Sequence, residues 1–322
     1  MHLGIFAKTF PRPTLEETLD SVAYHGLTHV QFNMSCIGLP TIPDRIDEDL
    51  CRWIAQSMRE RGLTMAAISG TFNLCDPDES RLQENLRRLD YLAAACRWLD
   101  TRIITLCTGT LNPEDMWTHH PDNVRVSAWE TLLGSVRAAV DIADRHEVTL
   151  AFEPEIHNVV SSVMRARRLL DEIGSPWLKV VIDPANLFSP GEVRPLSELL
   201  REAFDWLGKD IVLAHAKPPH FGASPAGSGW LLGFLGEEYQ HSIALMRGIL
   251  ERLRRGKEVD PLSSVDESNR LSAFFRCYAA LLAEIAYKGS VIIHGTEEGE
   301  VNGTVSLLRR ELKISENPGA GI

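Results

Sequence analysis

The sequence predicts an α/β protein, a (β/α)8 barrel with an insertion between strands seven and eight. Two observations carry this reading. Short apolar, β-rich runs alternate with stretches of helical periodicity from end to end, and eight such runs occur, the number that closes a parallel barrel. In addition, the first strand leads into no G-x-G-x-x-G turn, and no G-x-x-x-x-G-K-[ST] loop occurs anywhere. An open doubly wound sheet therefore lacks its dinucleotide or phosphate signature.

In chain order the strands are expected at His2–Phe6, Thr28–Phe32, Leu63–Ile68, Arg102–Leu106, Val148–Glu153, Leu178–Asp183, Ile211–His215 and Ser290–His294. Between them, Leu82, Leu86, Leu89, Ala93 and Cys96 repeat at helical spacing, as do Trp129, Leu132, Leu133, Val136, Val140 and Ala143. Such spacing lays an apolar stripe along one helix face. Leu169–Leu170 and Leu196 with Leu199–Leu200 mark two further helices. The interval between strands seven and eight is about twice an ordinary βα unit, so an insertion is placed at about 221–268. It begins with the loop chemistry of Gly222-Ala-Ser-Pro-Ala-Gly-Ser-Gly229, and a helix is expected over Glu237–Lys257, ending in the basic turn Arg252, Arg254, Arg255 and Lys257. One domain spans 1–314, and 315–322, with Pro318, Gly319 and Gly321, reads as a flexible tail.

Composition narrows the function classes. The 322 residues hold 33 Lys+Arg against 44 Asp+Glu, a formal charge of −11, with 44% apolar and 24% charged residues. That mix suits a globular protein with a sizeable core, and the acidic balance argues against nucleic acid as partner. No apolar run approaches a bilayer span, so no membrane partner is expected. The first ten residues lack the basic-then-apolar pattern of a secretory leader. Six scattered cysteines with no C-x-x-C pair predict free thiols in a reducing, cytoplasmic setting.

In a parallel barrel the chemistry sits at the C-terminal ends of the strands. Strand five ends in Glu153, strand six in Asp183, strand seven in His215 and strand eight in His294. Each follows a near-continuous apolar run, where an unpaired carboxylate is costly. Glu153 and Asp183 both precede proline, which keeps them extended and fixes their direction. Carboxylate and imidazole together suit one divalent metal ion: Mn, Zn, Co, Fe or Mg. Lys217, two residues past His215, offers a cation near developing charge or a substrate acid group, or a salt bridge at the rim. Asn186, Glu155, His157 and Asn158 offer hydrogen bonds to a hydroxylated substrate; the two asparagines are equally suited to capping helices. Trp117, His119 and His120 lie in the long loop after strand four, where they can cover a substrate. Cys107 ends strand four and lacks an evident base. His25, His29, His146, His220 and His241 read as structural or exposed.

Taken in order, Val30-Gln-Phe-Asn33, Ser69-Gly-Thr-Phe-Asn73, Thr105-Leu-Cys-Thr-Gly-Thr110, Phe152-Glu-Pro-Glu155, Ile182-Asp-Pro-Ala-Asn186 and His215-Ala-Lys217 resemble the sugar phosphate isomerase/epimerase family of xylose isomerase-like TIM barrels. The resemblance spans nearly the whole chain outside the insertion. It implies a divalent metal held by Glu153, Asp183, His215 and a strand-eight glutamate. Here that last position is His294, expected as the fourth ligand, with Glu297 and Glu298 three and four residues beyond as the alternative that could reach back to the metal. It also implies an isomerase or epimerase that moves a proton through an enediolate on a small sugar, polyol or keto-sugar derivative. Glu153 would be the base and His294 the acid, and a homo-oligomer would be usual. The histidine breaks the symmetry of two facing glutamates. A metal-dependent hydrolase, dehydratase or lyase, or a catalytically inactive sugar-binding barrel, is therefore kept as the alternative.

Overall fold

The computed structural model describes residues 1–187, 196–217 and 267–314. Eight parallel strands close into one barrel in sequence order: β1 (His2–Phe6), β2 (His29–Phe32), β3 (Thr64–Ser69), β4 (Ile103–Cys107), β5 (Thr149–Glu153), β6 (Leu178–Ile182), β7 (Ile211–Ala216) and β8 (Ser290–Ile293). β8 returns to β1 with Leu3 opposite Val291 and Ile5 opposite Ile293. All eight expected strands are present, most of them displaced by one residue at an end. The helices are α1 (Leu15–Tyr24), α2 (Glu48–Glu60), α3 (Glu79–Ala95), α4 (Val126–His146), α5 (Val163–Ile173), α6 (Leu196–Leu207), α7 (Glu267–Glu284) and α8 (Val301–Leu312). Residues 221–266 of the insertion expected at about 221–268, its expected helix and basic turn, His220, His241 and the tail 315–322 lie outside the described residues, while 267 and 268 open α7.

Most of the core lies between sheet and helices. The predicted stripes of α3 and α4 are buried there, including Leu86, Leu89, Leu132 and Val136. Local signals fix where helices begin. Thr14 and Glu17 form a reciprocal capping box at the start of α1, and Ser162 caps α5 by accepting from the Arg165 amide.

A second, smaller core fills the barrel: Ala67, Ala151, Val181, Leu213 and Ile292, one each from β3, β5, β6, β7 and β8. Side chains on a strand alternate between faces. The residues two positions further along these five strands therefore also point inward: Ser69, Glu153, Asp183, His215 and His294. The same alternation turns Phe6, Gln31 and Thr105 inward from β1, β2 and β4. An apolar plug thus carries a largely polar layer directly above it, at the C-terminal mouth.

At the opposite end, His29 stacks on His2 with ring centroids 4.4 Å apart. Burial, with the charges of His2 and the chain amine, pushes its pKa down to about 4. An unfolded histidine titrates near 6.5, so the unfolded chain takes up this proton first. Stability is full above about pH 6.5 and declines as pH falls toward 4, by up to about 2 kcal/mol at this partly exposed site. Urea unfolding at pH 7.5 and 4.5 should show H29Q flattening that part of the acid limb; an unchanged slope would refute the assignment.

Candidate metal centre

The four predicted strand-end groups meet. The His215 Nδ1 lies 3.5 Å from a Glu153 carboxylate oxygen and 3.6 Å from Asp183 Oδ2. The His294 ring stacks on the His215 ring, centroids 4.9 Å apart and planes within 6°. Phe6 covers the other face of His294 at 5.2 Å. Asp183 and His215 are buried to 0% and 1% exposure, while Glu153 and His294 are partly exposed toward the mouth.

Three of these atoms have no hydrogen-bond partner: Asp183 Oδ2, His215 Nδ1 and His294 Nδ1. Buried polar atoms are nearly always paired, and three orphans in one place point to a missing common partner. One ligand atom from each of Asp183, His215 and His294 lies within 4.8 Å of the others. Tetrahedral ligands at bond lengths of about 2.0–2.1 Å stand roughly 3.4 Å apart, so the residues present fit a divalent cation after a small contraction. Glu153 borders this set through His215.

Each donor is aimed by a neighbour. The backbone amide of Ala185 donates to Asp183 Oδ1 at 3.0 Å, which leaves Oδ2 facing the set. Gln31, which the sequence marks only as part of a motif, orients His215. With Nε2 as the protonated nitrogen, His215 donates to Gln31 Oε1 at 2.8 Å. The Gln31 amide in turn donates to the Ser69 and Thr105 hydroxyls at 3.3 and 3.4 Å. That chain leaves the Nδ1 lone pair toward the carboxylates, the tautomer a metal ligand needs. The signal for Gln31, Ser69 and Thr105 is present in the sequence: each is a polar residue at an inward position near the C-terminal end of a strand.

The site's charges act strongly on one another. Burial pushes Glu153 up to about 7, with Asp183 adding to the rise and His215 and Lys217 opposing it. Burial would raise Asp183 too, but His215 and Lys217 outweigh it and hold the carboxyl below its usual range. Burial disfavours the charged form of His215, yet facing Glu153 and Asp183 holds its pKa above the usual value. His294 is pushed down to about 3, chiefly by burial and then by His215, so it is a neutral imidazole with a free lone pair.

The remaining predicted residues divide. Asn186 donates to a Glu153 oxygen and accepts from Lys217 Nζ at 2.9 Å, so both stand at the site. Glu155 accepts from the His157 amide at 2.9 Å, the His157 ring at 3.0 Å and Asn158 Nδ2 at 3.3 Å, and so braces the turn after β5. Asn158 Oδ1 accepts from the Gly109 amide, and its Nδ2 also donates to the Met116 carbonyl. These contacts tie that turn to the loop carrying Trp117, which is 45% exposed. The His120 ring accepts from the Asp122 amide, capping a short turn. Cys107 is buried and its thiol, 3.2 Å from the Phe72 carbonyl, is pushed up to about 12 by burial and then by Glu153 and Glu155, which makes it a poor nucleophile. Glu297 and Glu298 are exposed, and Glu298 pairs with Arg12. All six cysteines are unpaired.

Residues 19–246 match the profile of the xylose isomerase-like TIM barrel. The chain belongs to that family. No curated protein matches this xylose isomerase-like chain. Among solved structures it is similar to a 3-keto-D-glucoside 4-epimerase from E. coli, at 14% identity, with 96% of this chain and 99% of that one covered and a TM-score of 0.63. It is also similar to a D-psicose 3-epimerase from Clostridium cellulolyticum H10, solved with D-tagatose, at 14% identity, coverage of 97% and 99%, and a TM-score of 0.62. A third is the IOLI protein with a bound zinc atom, at 16% identity, coverage of 97% and 99%, and a TM-score of 0.61. At these identities the likeness is one of fold. Among the described residues of this xylose isomerase-like barrel, no helix is long and apolar enough to cross a membrane.

Proposed function

We propose that this chain is a divalent-metal-dependent isomerase or epimerase acting on a small sugar, polyol or keto-sugar derivative. The observation that carries the reading is the set of three orphaned, buried ligand atoms on Asp183, His215 and His294, bordered by Glu153. These three residues would hold the cation, with Glu153 at its edge. A bound divalent cation supplies polarisation of a substrate carbonyl and stabilisation of the negative charge that develops on its oxygen.

Glu153 is the base that takes the proton from the hydroxyl-bearing carbon next to the carbonyl. It returns the proton to the former carbonyl carbon while the hydroxyl proton passes to the former carbonyl oxygen, which completes an isomerisation. An epimerisation requires instead that the proton return to the same carbon from the opposite face. The Glu153 side chain is 19% exposed, enough for a substrate to reach it, and Asn186 fixes its orientation. A positioned base of this kind contributes about 10²–10⁴-fold. His294, neutral and with Nδ1 turned into the ligand set, serves as a ligand, so the strand-eight position supplies no second carboxylate. Lys217 and Asn186 bind substrate oxygens beside Glu153, and Trp117 covers them from the loop after β4.

The test is solvent exchange. Protein stripped by a chelator should lose turnover of keto sugars and regain it with Mn²⁺ or Co²⁺. In deuterium oxide the restored protein should place deuterium at the substrate carbon next to the carbonyl, and E153Q should abolish that exchange. Turnover without exchange would favour a hydrolase, dehydratase or lyase on the same residues. Activity indifferent to both metal removal and E153Q would end the proposal.

A further inference from the structure

Lys217 is built into the mouth of the barrel and, among the described residues, has no carboxylate within ion-pair distance. It follows Leu213 and His215 on the alternation of β7, so it stands one step above His215. Its methylenes run along Gly295, where an added Cβ would lie 3.3 to 3.5 Å from Cγ, Cδ and Cε. Gly295 has φ +66°, a left-handed conformation that glycine adopts without strain, and it sits directly after His294. The strand-eight turn is therefore shaped to take the lysine stem. At the tip, Nζ donates to Asn186 Oδ1 at 2.9 Å. An ammonium has three donors, and among the described residues Lys217 makes no ion pair.

A structural lysine at a barrel rim ordinarily faces a carboxylate. This one is held by a neutral amide, one side chain away from Glu153, with its charge acting on Glu153, Asp183, His215 and His294 alike. A second cation stands nearby: Lys8 is exposed, and its Nζ lies 5.9 Å from the Phe6 ring that covers His294. With His294 in place of a third carboxylate, Glu153 and Asp183 among the described residues face a divalent cation and the Lys217 ammonium, with Lys8 beyond Phe6. The occupied site keeps an excess of positive charge that a neutral sugar leaves unmet.

We propose that the natural substrate of this centre is a small hydroxy acid or keto acid, whose carboxylate is bound by Lys217 next to the reacting carbons. This rests on the metal-centre reading above. The position of the ammonium sets where the acid group must be. Nζ is one amide away from the proposed base, so the carboxylate adjoins the carbons being deprotonated and does not sit at the far end of a longer sugar. Asn186, which bonds both Glu153 and Lys217, couples the acid group's position to the base.

The experiment compares D-gluconate with D-glucitol, an acid and a neutral polyol of equal carbon count, on the full chain. Calorimetric titration with Mn²⁺ comes first and reads the metal centre by itself. D-gluconate should then bind at least about tenfold more tightly than D-glucitol. K217M and K217Q, checked for an unchanged melting temperature, should remove most of that preference, weakening D-gluconate binding at least about tenfold more than D-glucitol binding. A preference that survives in both variants would overturn the proposal, since the cation alone would then be selecting the carboxylate. Equal binding of the two ligands, or no binding of either at millimolar concentration, would overturn it as well. If Mn²⁺ does not bind, the metal reading fails separately. The preference is then measured in the metal-free chain, where its loss in K217M supports the role of Lys217 and its absence refutes it.

Discussion

D183N is expected to lose divalent-metal binding by at least about 100-fold and turnover by about 10³-fold or more, with the barrel intact. The size of the effect follows from geometry. Asp183 is fully buried, its Oδ1 is held by the Ala185 amide, and only Oδ2 faces His215 and His294. Asparagine keeps the size and the ability to accept from Ala185, but it removes the charge that a cation requires. It also turns either a neutral oxygen or an amide donor toward two imidazole nitrogens. Changes outside the ligand shell of a metal site typically cost 10–100-fold, so loss of a charged ligand should exceed that range. Equilibrium dialysis against Zn²⁺ and Mn²⁺, with circular dichroism to verify folding, checks the result. Binding within a few-fold of the parent would remove Asp183 from the ligand set.

H294F should give the second large effect, and it has two signs. Metal affinity should fall by tenfold or more, because Nδ1 is one of the three orphaned ligand atoms. Thermal stability of the metal-free protein should rise. His294 is sandwiched between Phe6 and His215, and its buried Nδ1 has no partner. An unsatisfied buried polar atom costs about 1–3 kcal/mol, and a phenyl ring fits the same stack without one. For a chain of this size a gain of about 1 kcal/mol raises Tm by roughly 2 °C. A site that binds something is commonly one where the free fold is not at its most stable. Differential scanning calorimetry in chelator, paired with metal titration, reads both signs. A lower Tm together with undiminished metal binding would contradict the assignment of His294 to the centre.

The sequence by itself determined the barrel. Eight apolar runs spaced by amphipathic helices leave few alternatives, because the strand and helix periods of 2 and 3.6 are local properties written into neighbouring residues. It also identified which residues end strands five to eight, since Glu153 and Asp183 are polar punctuation after apolar runs and each is stiffened by the following proline. The tertiary structure decided what those residues do to one another. Gln31 reads as an ordinary polar residue in β2, and only closure of the barrel brings its carbonyl to His215, 184 residues away. Glu155 and Asn186 look equivalent in sequence, as polar groups just past strand ends. Folding turns Glu155 back onto its own turn and carries Asn186 across to Glu153 and Lys217. The reason is physical. Periodicity fixes which face of a strand a side chain takes, whereas its partners across a closed ring depend on register and on the rotation of each strand around the axis, which no local stretch of sequence encodes.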